Sequence, residues 1–147
     1  MNRLGRSLKR FAMLAALLLL ATGCSSGLAD PLGQSAKEAS AAVGSAAMVL
    51  RLETEDKATD ALSETTLGDM VDQSTAAYQS AAELTPKTAD DLALQQNILQ
   101  TLDRALRSLH SAQLAQASGD ASAVQAVVVR LQAQAAELAE LGKELKP

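Results

Sequence analysis

The stretch TADDLALQQNILQTLDRALRSLH, residues 88–110, has the clearest helical pattern in the sequence. It opens with Thr88-Ala89-Asp90-Asp91, in which a hydroxyl residue is followed three positions later by an acid, as at a capped helix start. Apolar residues then recur at helical spacing, at Leu92, Leu99, Leu102, Leu106 and Leu109. This spacing predicts an amphipathic helix.

Three other segments repeat this spacing of apolar residues. In the first segment they are Leu32, Ala36, Ala39, Val43, Ala46 and Leu50. The second segment begins near Thr59 or Asp60, and its apolar positions are Leu67, Met70, Val71, Ala77, Tyr78, Ala81 and Leu84. In the last segment they are Val124, Val128, Leu131, Ala135, Leu138 and Leu145. Each segment is predicted to be a helix that turns its apolar stripe toward a shared core.

Helix-breaking residues separate these segments. Pro31 follows Asp30, a suitable N-cap, and Pro86 lies between the second and third segments. Ser118-Gly119-Asp120 supplies a glycine to end the third helix and an N-cap for the fourth. No segment has a sustained two-residue alternation. We therefore predict an all-α fold, an antiparallel up-down bundle of four helices over residues 31–147.

The boundary between the first two helices is the least defined. Residues 53–64 contain neither glycine nor proline. The two segments are therefore also compatible with one longer bent helix, which would give a bundle of three helices.

The first 23 residues have the pattern of a cleaved secretion signal. Arg3, Arg6, Lys9 and Arg10 come first, and residues 11–21 are then almost entirely apolar. A membrane-spanning helix needs about 20 apolar residues, roughly twice this run. Residues 1–23 are therefore predicted to be a signal peptide.

The signal ends in LLLLATGCSSG, residues 17–27, which contains the only cysteine of the chain. Ala21-Thr22-Gly23-Cys24 resembles the lipobox of bacterial lipoproteins, although Ala21 stands where leucine is usual. The resemblance implies cleavage between Gly23 and Cys24 and a covalent diacylglycerol on Cys24. It also implies a location on the extracytoplasmic face of the cell membrane, with residues 24–30 as the lipidated cysteine and a short tether. The alternative is an incidental free thiol.

The composition after the signal disfavours several classes of ligand. Four of the 13 basic residues lie within residues 1–23, so the 124 residues from Cys24 onward carry 9 basic and 17 acidic side chains. A net charge of −8 disfavours nucleic acid and anionic lipid surfaces as partners. Tyr78 is the only aromatic residue after Phe11, which disfavours ligands that bind by stacking.

No motif indicates catalysis or metal binding. His110 is the only histidine, and Arg107 stands where the Glu-x-x-His motif of ferritin-like bundles would need a glutamate. A cluster of acids near the first turn lacks the alternating ligands and central glycine of an EF-hand, which favours a solvated surface over a calcium site; its members are Glu53, Glu55, Asp56, Asp60 and Glu64. We expect no catalytic residue, no metal and no cofactor besides the covalent diacylglycerol.

Two short stretches suggest contacts. Ser40, Gly44 and Ala47/Met48 form a small-residue face on the first helix, which predicts close packing within the bundle. Val127-Val128-Val129 points in three directions about 100° apart on a helix, more than one core covers. Either the fourth helix lies between neighbours, or part of this stretch, Val127, Val128 and Val129, is an exposed apolar patch that a partner covers.

Two hypotheses of function follow. The first is a non-catalytic lipid-anchored lipoprotein that acts as a structural spacer or a docking module for another envelope protein. The second is a binding module that holds a small apolar ligand or lipid between its helices, since alanine-rich stripes leave room there. The second hypothesis requires space for a ligand between the helices, whereas the first does not.

Overall fold

The computed structural model describes residues 27–145, which form four α-helices joined by short connections. We number them α1 (Ala29–Thr54), α2 (Asp60–Ala82), α3 (Ala89–Ser118) and α4 (Ala121–Glu144). No strand occurs within this range. The prediction of an all-α fold with four helices is confirmed. The proposed signal peptide, Gly23 and Cys24 lie outside the described residues.

The alternative of one bent helix in place of α1 and α2 is wrong. Asp56 adopts a left-handed conformation, with φ of 57°, which aspartate tolerates better than most residues. The backbone N–H of Lys57 then donates to the Leu52 carbonyl at 2.8 Å and closes α1. Thr59 begins α2 by accepting a hydrogen bond from the Leu62 N–H at 3.3 Å. A turn therefore forms here without glycine or proline.

The caps of α3 and α4 agree with the sequence. The Thr88 hydroxyl accepts from the Asp91 N–H at 3.0 Å, and Gly119 ends α3 with φ of 66°. Asp120 then accepts from the N–H groups of Ser122 and Ala123 at 2.8 and 3.2 Å. These short connections fix the positions at which α3 and α4 begin.

The start of α1 differs from the prediction. The helix begins at Ala29, and the N-cap is Leu28, which makes no side-chain capping bond. Asp30 therefore lies in the first turn instead of capping it, where its negative charge still favours the helix dipole. Leu28 is buried in the core, so the ordered domain includes residues that the sequence assigned to the tether.

Neighbouring helices run in opposite directions. The Ser40 hydroxyl in the first half of α1 donates to the Ala135 carbonyl in the second half of α4, at 2.8 Å. Arg104 in the middle of α3 pairs with Glu137 near the end of α4, also at 2.8 Å. The start of α1 consequently lies beside the end of α4. We term the opposite end of the bundle, which holds the α1–α2 and α3–α4 connections, the distal end.

The core forms largely on the predicted stripes. All six apolar positions predicted for α1 are fully buried. On α3, Leu102 and Leu109 are buried, but Leu92 is exposed and Ile98 takes a core position instead. The predicted apolar stripe on α3 is therefore wrong at Leu92. The neighbouring buried position is occupied by the polar side chain of Gln95.

The predicted small-residue face of α1 packs against α4 at Ser40 and Gly44, but Met48 is 55% exposed and lies outside this contact. A Cβ added to Gly44 would lie 3.9 Å from the Ala135 Cβ, an ordinary contact. One added to Gly142 would lie only 3.1 Å from the Gly33 carbonyl oxygen and 2.7 Å from Lys37 Cγ. The α1 and α4 backbones thus approach most closely at Gly33 and Gly142.

Alanine substitution at two glycines is expected to have opposite effects on stability. Gly142→Ala should lower the free energy of unfolding by about 1–3 kcal/mol, because the added methyl overpacks the α1–α4 contact. Gly68→Ala should raise it by about 0.5–1 kcal/mol, because nothing lies within 4 Å and alanine favours the helix. Urea denaturation followed by circular dichroism measures both. A stabilised Gly142→Ala variant would contradict the close approach.

Candidate functional site

The three valines proposed as a partner patch do not share one surface. Val127 and Val128 are buried, whereas Val129 is 57% exposed. Val127 and Val128 therefore do not contribute to a surface patch, and a role of Val129 in binding a partner stays a prediction. The fourth helix lies between two neighbours instead, since Val127 lines a groove beside α3 and Ala135 contacts Ser40 of α1. Of the three valines, only Val129 remains accessible to a partner.

Among residues 27–145, the most exposed large apolar side chain is Leu114 on α3, at 74%. It lies near the distal end, between two surface grooves that both include it. The α3–α4 groove has a volume of about 470 Å³ and is lined by Ser111, Leu114, Ala115, Ser118, Ala123, Ala126, Val127 and Arg130. The α2–α3 groove has a volume of about 460 Å³ and is lined by Asp60, Glu64, Leu67, Gln113, Leu114, Gln116 and Ala117. Leu114 forms the ridge between them.

The two grooves carry opposite charges. Arg130 is the only charged residue that lines the α3–α4 groove, and within residues 27–145 it forms no ion pair. Asp60 and Glu64 line the α2–α3 groove, which has no basic residue. Both grooves flank the same turn of α3, because Ser111 lines one and Gln113 lines the other. The surface around Leu114 is thus apolar at its centre, positive on one side and negative on the other.

The charge difference extends along the helices. Residues 104–119 contain two arginines and no acid, and residues 121–136 contain Arg130 and no acid. Helix α2 contains four acidic residues and no basic residue. Arg104 and Arg107 pair with Glu137 and Asp103, so Arg130 makes the α4 side of Leu114 positive, and the acids of α2 make the other side negative.

His110 lies on the same exposed surface of α3. Its Nδ1 is 3.3 Å from the Gln113 side-chain oxygen, and the ring is exposed, as the sequence predicts. Arg107 pairs with Asp103 at 2.8 Å, so these two charges neutralise each other. No group of three or more metal-ligating side chains occurs in the described part of the chain.

The acidic residues near the α1–α2 connection face different partners. Glu53 lies 3.5 Å from the Gln116 amide nitrogen, and Lys57 donates to Glu55 at 2.7 Å. The hydrogen bond and charge of Lys57 lower the pKa of the Glu55 carboxyl below its ordinary value. Glu53 and Glu55 thus have separate partners and do not converge on a common site.

The bundle interior is filled by side chains. The largest fully buried residues are Leu32, Leu50, Leu67, Ile98, Leu102, Leu109, Leu131 and Leu138. Alanines and glycines lie where backbones approach closely, as between α1 and α4. Both grooves described above lie at the surface and open to solvent. The binding of a small apolar ligand between the helices stays a prediction.

Sequence reasoning missed Leu114. This residue is five positions after Leu109 and therefore falls outside the predicted stripe of α3. A leucine out of register with its helix stripe, inside a run without acidic residues, is the signal that identifies it.

Among residues 27–145 no helix has the length and apolar character needed to cross a membrane.

Comparisons of the chain with protein-family models, with curated proteins and with solved structures found no match. The proposals that follow rest on the residues and geometry of this chain alone.

Proposed function

We propose that this protein is a non-catalytic lipoprotein, anchored through Cys24 to the outer face of a bacterial membrane, that displays a helical bundle as a spacer or docking module for an envelope protein. The observation that carries the proposal is the basic and apolar leader ending in Ala21-Thr22-Gly23-Cys24. Two acyl chains on one cysteine suffice for stable membrane anchoring. The remaining chain then needs no membrane-inserting segment.

The short distance between Cys24 and the bundle supports this proposal. Only three residues separate Cys24 from Leu28, which belongs to the core. Four extended residues reach about 14 Å at most. A lipid on Cys24 would therefore hold the start of α1 next to the headgroups, and the distal end would face away from the bilayer.

The charges near the start of α1 also support a bundle that stands on the bilayer without entering it. This end carries Asp30 in α1, Asp90 and Asp91 at the start of α3, and Glu144 at the end of α4, against the two lysines Lys87 and Lys143. Anionic headgroups repel such an acidic surface. The anchor alone would then provide the membrane affinity.

The test of the proposal is removal of the thiol. Cys24→Ala in the full chain is expected to move the protein from the membrane fraction to the soluble fraction, or to leave it as an uncleaved precursor. Ser26→Ala is the matched control and should stay in the membrane. Intact-mass measurement of the wild-type protein should show loss of residues 1–23 and a diacylglycerol on Cys24. A wild-type protein with its leader attached or its thiol free would refute the proposal.

A further inference from the structure

Leu114 has a feature that the proposed function does not use. It is an exposed apolar residue with a positive groove on its α4 side and a negative groove on its α2 side. Burying an exposed leucine contributes about 1.5–3 kcal/mol, but its partner must also match the charges around it. The partner therefore needs an apolar centre between a negative and a positive side.

The chain itself presents this pattern. We propose that the Leu114 surface binds a second copy of the same chain in a two-fold symmetric dimer, with the two α3 helices parallel and adjacent. A two-fold contact uses the same surface on both copies, so that each contact occurs twice. A surface that is positive on one side and negative on the other is suited to this arrangement.

The direction of the symmetry axis follows from the charges. An axis parallel to α3 in the contact plane exchanges the two sides of the facing surfaces, so Arg130 of each copy faces Asp60 and Glu64 of the other. The two Leu114 side chains then meet at the axis. An axis perpendicular to α3 would place like charges opposite each other, which is unfavourable. The charge pattern thus selects the parallel arrangement.

The other charged groups on this surface do not oppose the contact. Arg107 lies on the exposed side of α3, where two arginines would approach each other at the axis. Asp103 neutralises each arginine within its own helix, at 2.8 Å. Between parallel helices, Arg107 of each copy would also be able to pair with Asp103 of the other copy.

The parallel arrangement also fits a membrane anchor, and this part of the argument rests on the proposed function. Copies related by an axis along the bundle have both chain starts at the same end, next to one bilayer. Exposed ion pairs contribute less than about 1 kcal/mol each, so the contact is weak in dilute solution. Tethering in one membrane raises the effective concentration of the second copy and strengthens the dimer.

Cysteine cross-linking of the full chain in native membranes tests the dimer. Leu114→Cys should form a disulfide-linked dimer under mild oxidation, at least fivefold above the yield of Met48→Cys, and the wild-type chain, whose Cys24 sulfur is bonded to the lipid, should form none. Met48→Cys is the matched control, because Met48 is 55% exposed but lies on the outer side of α1. A yield for Leu114→Cys no higher than that for Met48→Cys would overturn the proposal.

Charge reversal then tests the symmetry. In the Leu114→Cys chain, adding Arg130→Glu should lower the dimer yield about fivefold, and adding Glu64→Arg as well should restore at least half of it. Failure of the second change to restore the yield would overturn the parallel arrangement. Fractionation of Cys24→Ala tests the membrane anchor independently of the dimer. Detergent-solubilised protein at high concentration tests the dimer without a bilayer.

Discussion

Replacing Leu102 by alanine is expected to lower the free energy of unfolding by about 3–4 kcal/mol. Leu102 is 1% exposed on α3 and belongs to a core cluster that contains many alanines. Removal of a buried leucine side chain loses its transfer free energy and leaves a cavity. Alanine neighbours have no rotamers with which to fill that cavity, so relaxation is small. A domain of this size is typically stable by only 5–15 kcal/mol, so the loss is a large fraction of the total.

Leu114→Ala on the same helix is the matched control for this prediction. The chemical change is identical, but Leu114 is 74% exposed, and its replacement should alter stability by less than about 0.5 kcal/mol. Urea denaturation of the chain from Ser25 onward, followed at 222 nm, compares the two variants. Equal effects of the two substitutions would show that Leu102 does not lie in the core or that Leu114 is covered.

The sequence predicted most features that depend on local chemistry. Threonine and aspartate before an apolar run satisfy the free N–H groups of a helix start wherever they occur, so Thr59, Thr88 and Asp120 were identifiable as caps. Gly119 likewise marks the end of α3 through its positive φ. These features need no knowledge of the neighbouring helices.

The features that were missed depend on contacts between helices. Asp30 was expected to cap α1, but burial of Leu28 in the core extends the helix past it. Val127 was considered as part of an exposed patch, but α3 covers it. In both cases the packing of another helix outweighs the local pattern, which a single sequence does not display.

Part of the core consists of buried polar residues, which the apolar pattern of the sequence does not predict. Ser63 and Ser74 on α2 are buried, and their hydroxyls have no hydrogen-bond partner in the described part of the chain. A reading that places polar residues outside misses such positions and weakens the apparent stripe of α2. The candidate site was missed for the opposite reason, since Leu114 is an apolar residue at the surface.

Gln95→Leu is expected to lower the free energy of unfolding by about 2–4 kcal/mol, despite a more apolar side chain in a buried position. The Gln95 amide nitrogen donates to the Ala81 carbonyl at 2.9 Å and to the Leu84 carbonyl at 2.7 Å. Carbonyl groups at a helix end lack backbone donors, and this side chain satisfies two of them across the α2–α3 connection. Leucine would leave the buried Ala81 carbonyl unsatisfied, at a cost of about 1–3 kcal/mol, and would also remove the bond to the partly buried Leu84 carbonyl.

Gln96→Leu is the matched control, because Gln96 is exposed on the same turn of α3. It should change stability by less than about 0.5 kcal/mol. Amide hydrogen exchange distinguishes a local role from general loss of packing. Gln95→Leu should accelerate exchange most strongly in the last turn of α2, because that turn loses the bonds that hold it to α3. A variant that is as stable as the wild type, with unchanged exchange at residues 79–85, would show that the hydrogen bonds of Gln95 do not hold the end of α2.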